Sequence, residues 1–188
     1  MQSIVTFEEL DLLKEKDIDT YRHSLKVGKL ALSMAFHLNL DQKRTRLLYN
    51  GCCLHDIGKL FVPDTILRNQ EELEPSEWET MKSHPSLGAE LLRKRSNVDQ
   101  DIIDIVEFHH ERWDGHGYPY GLKGADIPMF ARICAIIDSF ESMRSDRPYR
   151  KRLSLSQAKD ELRNNSGTQF DKYYVDVFLS LPDTILDQ

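Results

Sequence analysis

The sequence predicts an all-α protein folded as a single-domain helical bundle. Apolar residues recur at three- and four-residue steps along most of the 188-residue chain, as they do on one face of an α-helix. No stretch alternates with a period of two for long enough to indicate a strand, and short β segments are expected only near residues 59–62. Neither an internal repeat nor a linker-like tract divides the chain, which favours one domain.

The apolar stripes and their punctuation place the helices along the chain. Asp41 is predicted to cap the start of one helix, which Gly58 then ends. Pro75 is predicted to occupy the first position of another helix, with Trp78 and Met81 turned inward. The predicted helices cover residues 20–38, 41–56, 75–82, 99–110 and 127–143, with one more starting at Pro85 and two shorter ones after Ser154 and Asp171.

The N-terminus is expected to stand slightly apart from the rest. The predicted domain spans residues 19–188, and residues 1–18 are expected to be an N-terminal extension or a helix packed on it. This N-terminus is acidic where a signal peptide is basic, and no apolar run approaches the roughly 18 residues of a membrane span. A cytoplasmic protein without a membrane partner is therefore expected.

Charge and cysteine content exclude several classes of protein. A net charge of −6 and a pI near 5.6 argue against a partner that is a nucleic-acid polymer, although a small anionic substrate in a local basic pocket stays open. Cys52, Cys53 and Cys134 are odd in number and lack the C-x-x-C spacing, so they are expected to be reduced core residues.

Five of the seven histidines lie on, or at the end of, a predicted core-facing stripe. A single such residue is usually a hydrogen-bonded core histidine. Five imidazoles on four separate helices make a poor core but a good ligand set for divalent transition metals. The five are His23, His55, His84, His109 and His110.

Two carboxylates accompany these histidines. Asp56 directly follows His55, and Asp138 ends the apolar run ICAIID, where an unpaired charge is strongly unfavourable. His109 and His110 are predicted to bind two different ions, with Asp56 bridging the ions and holding an activated water between them. This pattern indicates a two-metal hydrolase.

Three motifs make the chain similar to a known family. They are HDIGK at residues 55–59, HHERWDGHGYP at 109–119 and SDRPYR at 145–150. In this order, and with His23 and the HP pair at His84, they resemble the HD-GYP family of metal-dependent phosphohydrolases over about residues 17 to 180. The resemblance implies a bundle of the HD-domain type with a glycine-rich GYP loop. It also implies that the protein binds two divalent ions, or three if a third site is present. These ions are implied to be iron or manganese.

The resemblance implies a role for each matching residue. It implies as metal ligands the set already isolated: His23, His55, Asp56, His84, His109, His110 and Asp138. Asp19 lies one turn before His23, at the position of a glutamate in members with three ions, and is a candidate ligand of a third ion. Its alternative role is to cap the first helix.

Further residues are implied to act on the substrate. Lys59, together with Asp56, is implied to be catalytic, because an ammonium there can neutralise a phosphate oxygen in the transition state. The basic residues of DRPYR contact phosphates in the family, which implicates Arg147 and Arg150. The predicted recognition surface for a guanine or a partner protein comprises Gly117, Tyr118 and Pro119.

The function implied by the resemblance is hydrolysis of the cyclic dinucleotide cyclic di-GMP to pGpG and, after a second cut, GMP. One alternative is a phosphodiesterase for another cyclic dinucleotide. A second alternative is a non-catalytic module that docks diguanylate cyclase domains through the GYP loop. Metal identity, the end product and the oligomeric state are left open by the sequence.

Overall fold

Helices account for almost all regular structure in the computed structural model, which describes residues 8–69, 71–146 and 151–187. Among these residues the one β feature is an isolated bridge between Ser166 and Phe170, so the all-α prediction is confirmed. The helices are α1 (Glu8–Lys16), α2 (Ile18–His37), α3 (Gln42–Leu54), α4 (Asp64–Leu67), α5 (Pro75–Lys82), α6 (His84–Arg93), α7 (Gln100–Phe108), α8 (Met129–Arg144), α9 (Leu155–Asn164), α10 (Lys172–Leu179) and α11 (Asp183–Leu186), with 3-10 turns at Ile57–Phe61 and Gly124–Asp126.

Local sequence signals fix several helix ends. The Asp41 side chain accepts a hydrogen bond from the Arg44 backbone N–H at 2.8 Å, which confirms it as the cap of α3. Pro75 is the first residue of α5, also as predicted. The cap of α2 is Asp17, whose side chain accepts from the backbone N–H of Asp19, so the alternative role of Asp19 as a cap is wrong.

The segment near residues 59–62 is a 3-10 turn and not a β segment, which corrects the sequence expectation. A close approach of two backbones explains this. A Cβ on Gly58 would lie 1.8 Å from the carbonyl oxygen of His84 and 2.7 Å from the backbone nitrogen of Gly88. Only glycine permits this contact, which presses the turn against the start of α6.

The core lies between α2, α3, α7 and α8. Fully buried side chains from each of these helices meet there, including Met34, Leu48, Ile105 and Ile136. Helix α1 packs against α2 through Leu13, which is also fully buried.

All three cysteines are buried free thiols, which agrees with the predicted reduced core residues.

In the described part of the chain, no helix is both long enough and apolar enough to cross a bilayer.

Helix α5 differs from its prediction. None of its residues is buried, and the Trp78 side chain is 47% exposed, so the prediction that it turns inward is wrong. The reason is its position, because α5 lies at the rim of a cleft and not over the core.

Candidate metal centre

The five predicted histidines converge on one site. They come from the second turn of α2, the end of α3, the start of α6 and the end of α7. Neighbouring rings lie close together: the ring centroids of His23 and His55 are 5.2 Å apart, and those of His55 and His109 are 5.0 Å apart. The ring centroids of His84 and His110 are also 5.0 Å apart.

The ligand atoms form two clusters that share one carboxylate. One cluster contains Asp56, His84, His109 and His110, and the other contains His23, His55 and Asp56; within each, the ligand atoms lie within 4.8 Å of one another. Asp138 adjoins the second cluster, with its Oδ1 2.9 Å from His23 Nε2 and 3.7 Å from His55 Nε2. Asp56 therefore stands where a bridging ligand is required.

The prediction that His109 and His110 bind different ions is wrong, because both belong to the same cluster. Helix α7 ends at Phe108, and His109 is already its C-terminal flanking residue. The chain then leaves the helix, so the two rings do not diverge by about 100° as neighbours on a helix do. Their centroids lie 4.1 Å apart with an interplanar angle of 43°.

Backbone carbonyls orient three of the imidazoles. The Nδ1 atoms of His55, His84 and His109 lie 2.7, 2.8 and 2.9 Å from the carbonyl oxygens of Cys52, Met81 and Val106. A carbonyl can only accept, so each Nδ1 carries the proton and donates it. Each Nε2 is then left with a lone pair aimed into the centre, which is the tautomer that a metal ligand needs.

These tautomers create a conflict that a cation resolves. His84 Nε2 and His109 Nε2 face each other at 3.3 Å, and both present lone pairs. Burial, reinforced by the neighbouring ring of His110, holds the pKa of His109 well below its usual range, so protonation of that ring does not relieve the contact. His55 Nε2 is buried without a hydrogen-bond partner among the described residues.

The donor set of imidazoles and carboxylates suits divalent transition metals. The residues therefore fit a centre of two such ions. The two clusters are separate sets of donors that have only Asp56 in common.

The carboxylates of the centre stay ionised. Burial alone would raise the pKa of Asp56, but the Lys59 ammonium, 2.7 Å from Oδ2, and the nearby His55 outweigh burial and hold this pKa well below its usual range. Burial would likewise raise the pKa of Asp138, and the adjacent imidazoles of His23 and His55 lower it. Both side chains are thus available as anionic ligands.

Glu141 is a functional residue that the sequence did not single out. Its carboxylate is buried and accepts hydrogen bonds from His23 Nδ1, from Lys26 Nζ at 2.9 Å and from Ser145 Oγ at 2.6 Å. Burial opposes its ionisation, but the His23 hydrogen bond lowers its pKa to about 2. The available signal was a second acid three residues after Asp138 on the same apolar helix.

Replacing Glu141 with glutamine is expected to weaken metal binding about 10- to 100-fold, because a carboxylate behind a ligating histidine sets its tautomer and basicity. Isothermal titration of the metal-free protein with Mn²⁺ measures this loss. Glu90→Gln, on an exposed part of α6, is the matched control. Equal affinities in the two variants would contradict the assigned role of Glu141.

The glycine-rich loop packs directly on the centre. The Tyr118 ring stacks on His110, with centroids 4.7 Å apart and planes 26° apart. A Cβ on Gly117 would lie 2.4 Å from the backbone nitrogen of Arg112, so the loop can fold this tightly only with glycine there. Gly117 and Tyr118 line the cleft, whereas Pro119 is not among its lining residues.

A buried carboxylate holds the far side of this loop. The Glu111 side chain accepts hydrogen bonds from the backbone N–H groups of Tyr120, Gly121 and Leu122 at 2.7, 3.1 and 2.9 Å. It is 3% exposed, so these bonds offset the cost of burying its charge.

Replacing Glu111 with glutamine is expected to loosen this loop, because one acceptor oxygen becomes an NH₂ group that faces backbone donors. Hydrogen exchange of the amides of residues 120–122 should accelerate at least about tenfold, with metal content unchanged since Glu111 belongs to neither cluster. Unchanged protection of those amides would show that other contacts hold the loop.

The two clusters border a cleft of about 1710 Å³, which all of their members except His55 line. Lys59 lines this cleft, as its predicted role requires. Asp19 also lines the cleft, but its side chain is 86% exposed, pairs with Arg22 at 3.8 Å and belongs to neither cluster. Arg147 and Arg150 lie outside the described residues, so their phosphate contacts stay a prediction.

The fold and the site define a helical protein built around a paired histidine and aspartate metal centre, and comparison with known proteins identifies its family. The model of the HD domain family matches residues 9–173. The chain is 39% identical over 182 residues to a cyclic di-GMP phosphodiesterase of Thermotoga maritima, covering 96% of this chain and 50% of that protein. It is 34% identical over 162 residues to the 3'3'-cGAMP-specific phosphodiesterase 2 of Vibrio cholerae, covering 86% of this chain and 31% of that protein.

A solved structure supports the same fold. The HD domain of the L. monocytogenes phosphodiesterase PgpH, in complex with cyclic-di-AMP, superposes with a TM-score of 0.67 at 23% identity, covering 96% of this chain and 95% of that one. The chain belongs to the HD domain family and, within it, to the HD-GYP group. It spans half the length or less of the two relatives named above.

Proposed function

We propose that this domain hydrolyses the phosphodiester bonds of cyclic di-GMP, releasing pGpG and, after a second cut, GMP. The observation that carries the proposal is Asp56, a buried carboxylate shared by two ligand clusters in an open cleft. The relative in Thermotoga maritima, which is named a cyclic di-GMP phosphodiesterase, supports this choice of substrate. We propose the cytoplasm as the location of this activity.

Two divalent ions, when bound, would supply Lewis acidity toward a phosphate oxygen and would lower the pKa of water. Asp56, His84, His109 and His110 would hold one ion, and His23, His55, Asp56 and Asp138 the other. We propose iron or manganese, since imidazole and carboxylate ligands suit both.

Lys59 contributes charge next to the reacting phosphate. Its Nζ lies 2.7 Å from Asp56 Oδ2, and its side chain is 21% exposed toward the cleft. From there the ammonium can stabilise the negative charge that grows on the phosphate oxygens as the bond to the leaving oxygen breaks. The low pKa of Asp56 keeps its carboxylate free to orient the attacking water.

A second cyclic dinucleotide is an alternative substrate. The Vibrio cholerae relative is named 3'3'-cGAMP-specific, and the solved PgpH domain holds cyclic-di-AMP. These proteins share the fold of this chain, so the fold alone does not select between guanine and adenine. The choice of guanine rests on the relative with the higher identity.

The test is anaerobic incubation of iron-loaded and manganese-loaded protein with cyclic di-GMP, 3'3'-cGAMP and cyclic di-AMP, with products separated by chromatography. His109→Ala serves as the inactive control. Release of pGpG by the parent protein alone supports the proposal, and faster turnover of another dinucleotide would reassign the substrate. No turnover by protein carrying two ions would favour a module that docks diguanylate cyclase domains.

A further inference from the structure

Trp78 is an unusual residue for its position. It belongs to α5, is 47% exposed and lines the cleft that contains both ligand clusters. Within the described ranges, no side chain or backbone group is hydrogen-bonded to its indole N–H. Phe36 and Tyr173 are more exposed, at 80% and 61%, but neither lines the cleft. Trp78 is thus a large aromatic surface turned toward the site and not toward the core.

The helix that carries Trp78 is tied to the metal centre. Met81, one turn further along α5, also lines the cleft, and its carbonyl accepts the hydrogen bond from His84 Nδ1 at 2.8 Å. Trp78 and His84 are six positions apart in the chain, with α5 ending at Lys82 and α6 beginning at His84. The end of the helix that carries Trp78 is therefore anchored to a ligand of the first cluster.

The place of Trp78 on the wall of the same cleft suits the shape of a cyclic dinucleotide. With one phosphodiester at the metal centre, a ribose and its purine base extend away from it along the cleft. A base can stack on an aromatic ring whatever its hydrogen-bonding edge, because every base has a π face. The Tyr118 ring is less free for this, since one of its faces already lies on His110.

We propose that Trp78 is the stacking platform for one purine base of the substrate. This inference rests on the proposed function and adds to it a residue that determines affinity for the substrate class. Because stacking tolerates any purine, Trp78 supplies affinity for cyclic dinucleotides in general and does not choose between guanine and adenine. The choice of base must come from polar groups elsewhere in the cleft.

Kinetics of Trp78→Ala and Trp78→Phe in the metal-loaded protein test the proposal. The alanine variant should raise KM about 5- to 100-fold with kcat nearly unchanged, and phenylalanine should restore most of the loss. The fold-change should be similar for cyclic di-GMP and 3'3'-cGAMP, if both are turned over. Phe36→Ala, which removes an exposed ring outside the cleft, should leave KM unchanged.

Fluorescence gives a readout that does not depend on turnover. The chain contains two tryptophans, and Trp113 stacks near Arg132 outside the cleft lining, so Trp113→Phe leaves Trp78 as the sole reporter. Addition of pGpG to this metal-loaded variant should quench its emission with a saturable dependence on concentration.

The outcomes separate this inference from the proposed function. An unchanged KM in Trp78→Ala and no quenching, in a protein that does hydrolyse cyclic di-GMP, would overturn the stacking role alone. Absence of hydrolysis in the parent protein would overturn the proposed function, while quenching by pGpG would still support the platform. A change in kcat without a change in KM would also contradict the proposal.

Discussion

Asp56→Asn is expected to abolish hydrolysis, lowering turnover at least about 1,000-fold, and to reduce the bound metal from two ions to at most one per chain. Asp56 is the residue that both ligand clusters share. Its Oδ1 lies 3.2 Å from His84 Nε2 and its Oδ2 lies 3.4 Å from His55 Nε2, so each oxygen serves one side of the centre. An asparagine keeps one acceptor oxygen and turns an NH₂ group toward the other cluster.

The change also removes a negative charge from the centre. Lys59 Nζ, 2.7 Å from Asp56 Oδ2, would lose its anionic partner inside a partly buried site. Metal analysis by mass spectrometry and turnover of cyclic di-GMP measure the two effects. Asp160→Asn, on the exposed face of α9, is the control and should retain both metal and activity. A fully active Asp56→Asn protein with two ions would contradict the bridging role.

Gly58→Ala is expected to destabilise the fold by about 3 kcal/mol. The new Cβ would meet the His84 carbonyl oxygen at 1.8 Å, and the backbone cannot move aside as a side chain can. The 3-10 turn that carries Lys59 and the start of α6 that carries His84 would have to separate. Urea denaturation of the metal-free protein measures the loss, and weaker metal binding should accompany it.

Gly51→Ala is a comparison variant for which a smaller loss of stability is expected. There the nearest atom is the terminal Cδ1 of Ile105, at 2.2 Å, which a change of rotamer can move, and the Cβ of Ile105 at 3.0 Å has to shift only slightly. Its cost should therefore be smaller, about 1 kcal/mol. Equal losses in the two variants would show that the approach of the turn to α6 is not what limits position 58.

Much of the fold could be predicted from the sequence because its signals are local. Asp41 and Pro75 act through their own helix termini, and the periodic apolar stripes are a property of each segment alone. The convergence of the five histidines was predictable for a related reason. Imidazoles on core-facing stripes of several helices must meet in the interior of a bundle.

The features that the sequence analysis predicted wrongly or missed depend on tertiary packing. The grouping of His109 with His110 follows from the path of the chain after α7, which no periodicity encodes. Trp78 was predicted to be buried from its hydrophobicity, but α5 lies at the edge of the cleft. Glu141 escaped notice because its role depends on His23, which is 118 residues away in sequence.

The bonds that orient the imidazoles also complete the helices. Cys52, Met81 and Val106 lie in the last turns of α3, α5 and α7, where terminal carbonyls lack partners within the helix. His55, His84 and His109 donate to these carbonyls, so each ligand acts as a side-chain cap for the helix that precedes it. Three helices thus end at the centre, and the rings are pre-aligned by the folding of the chain before any ion arrives. Metal binding then has little conformational entropy left to remove.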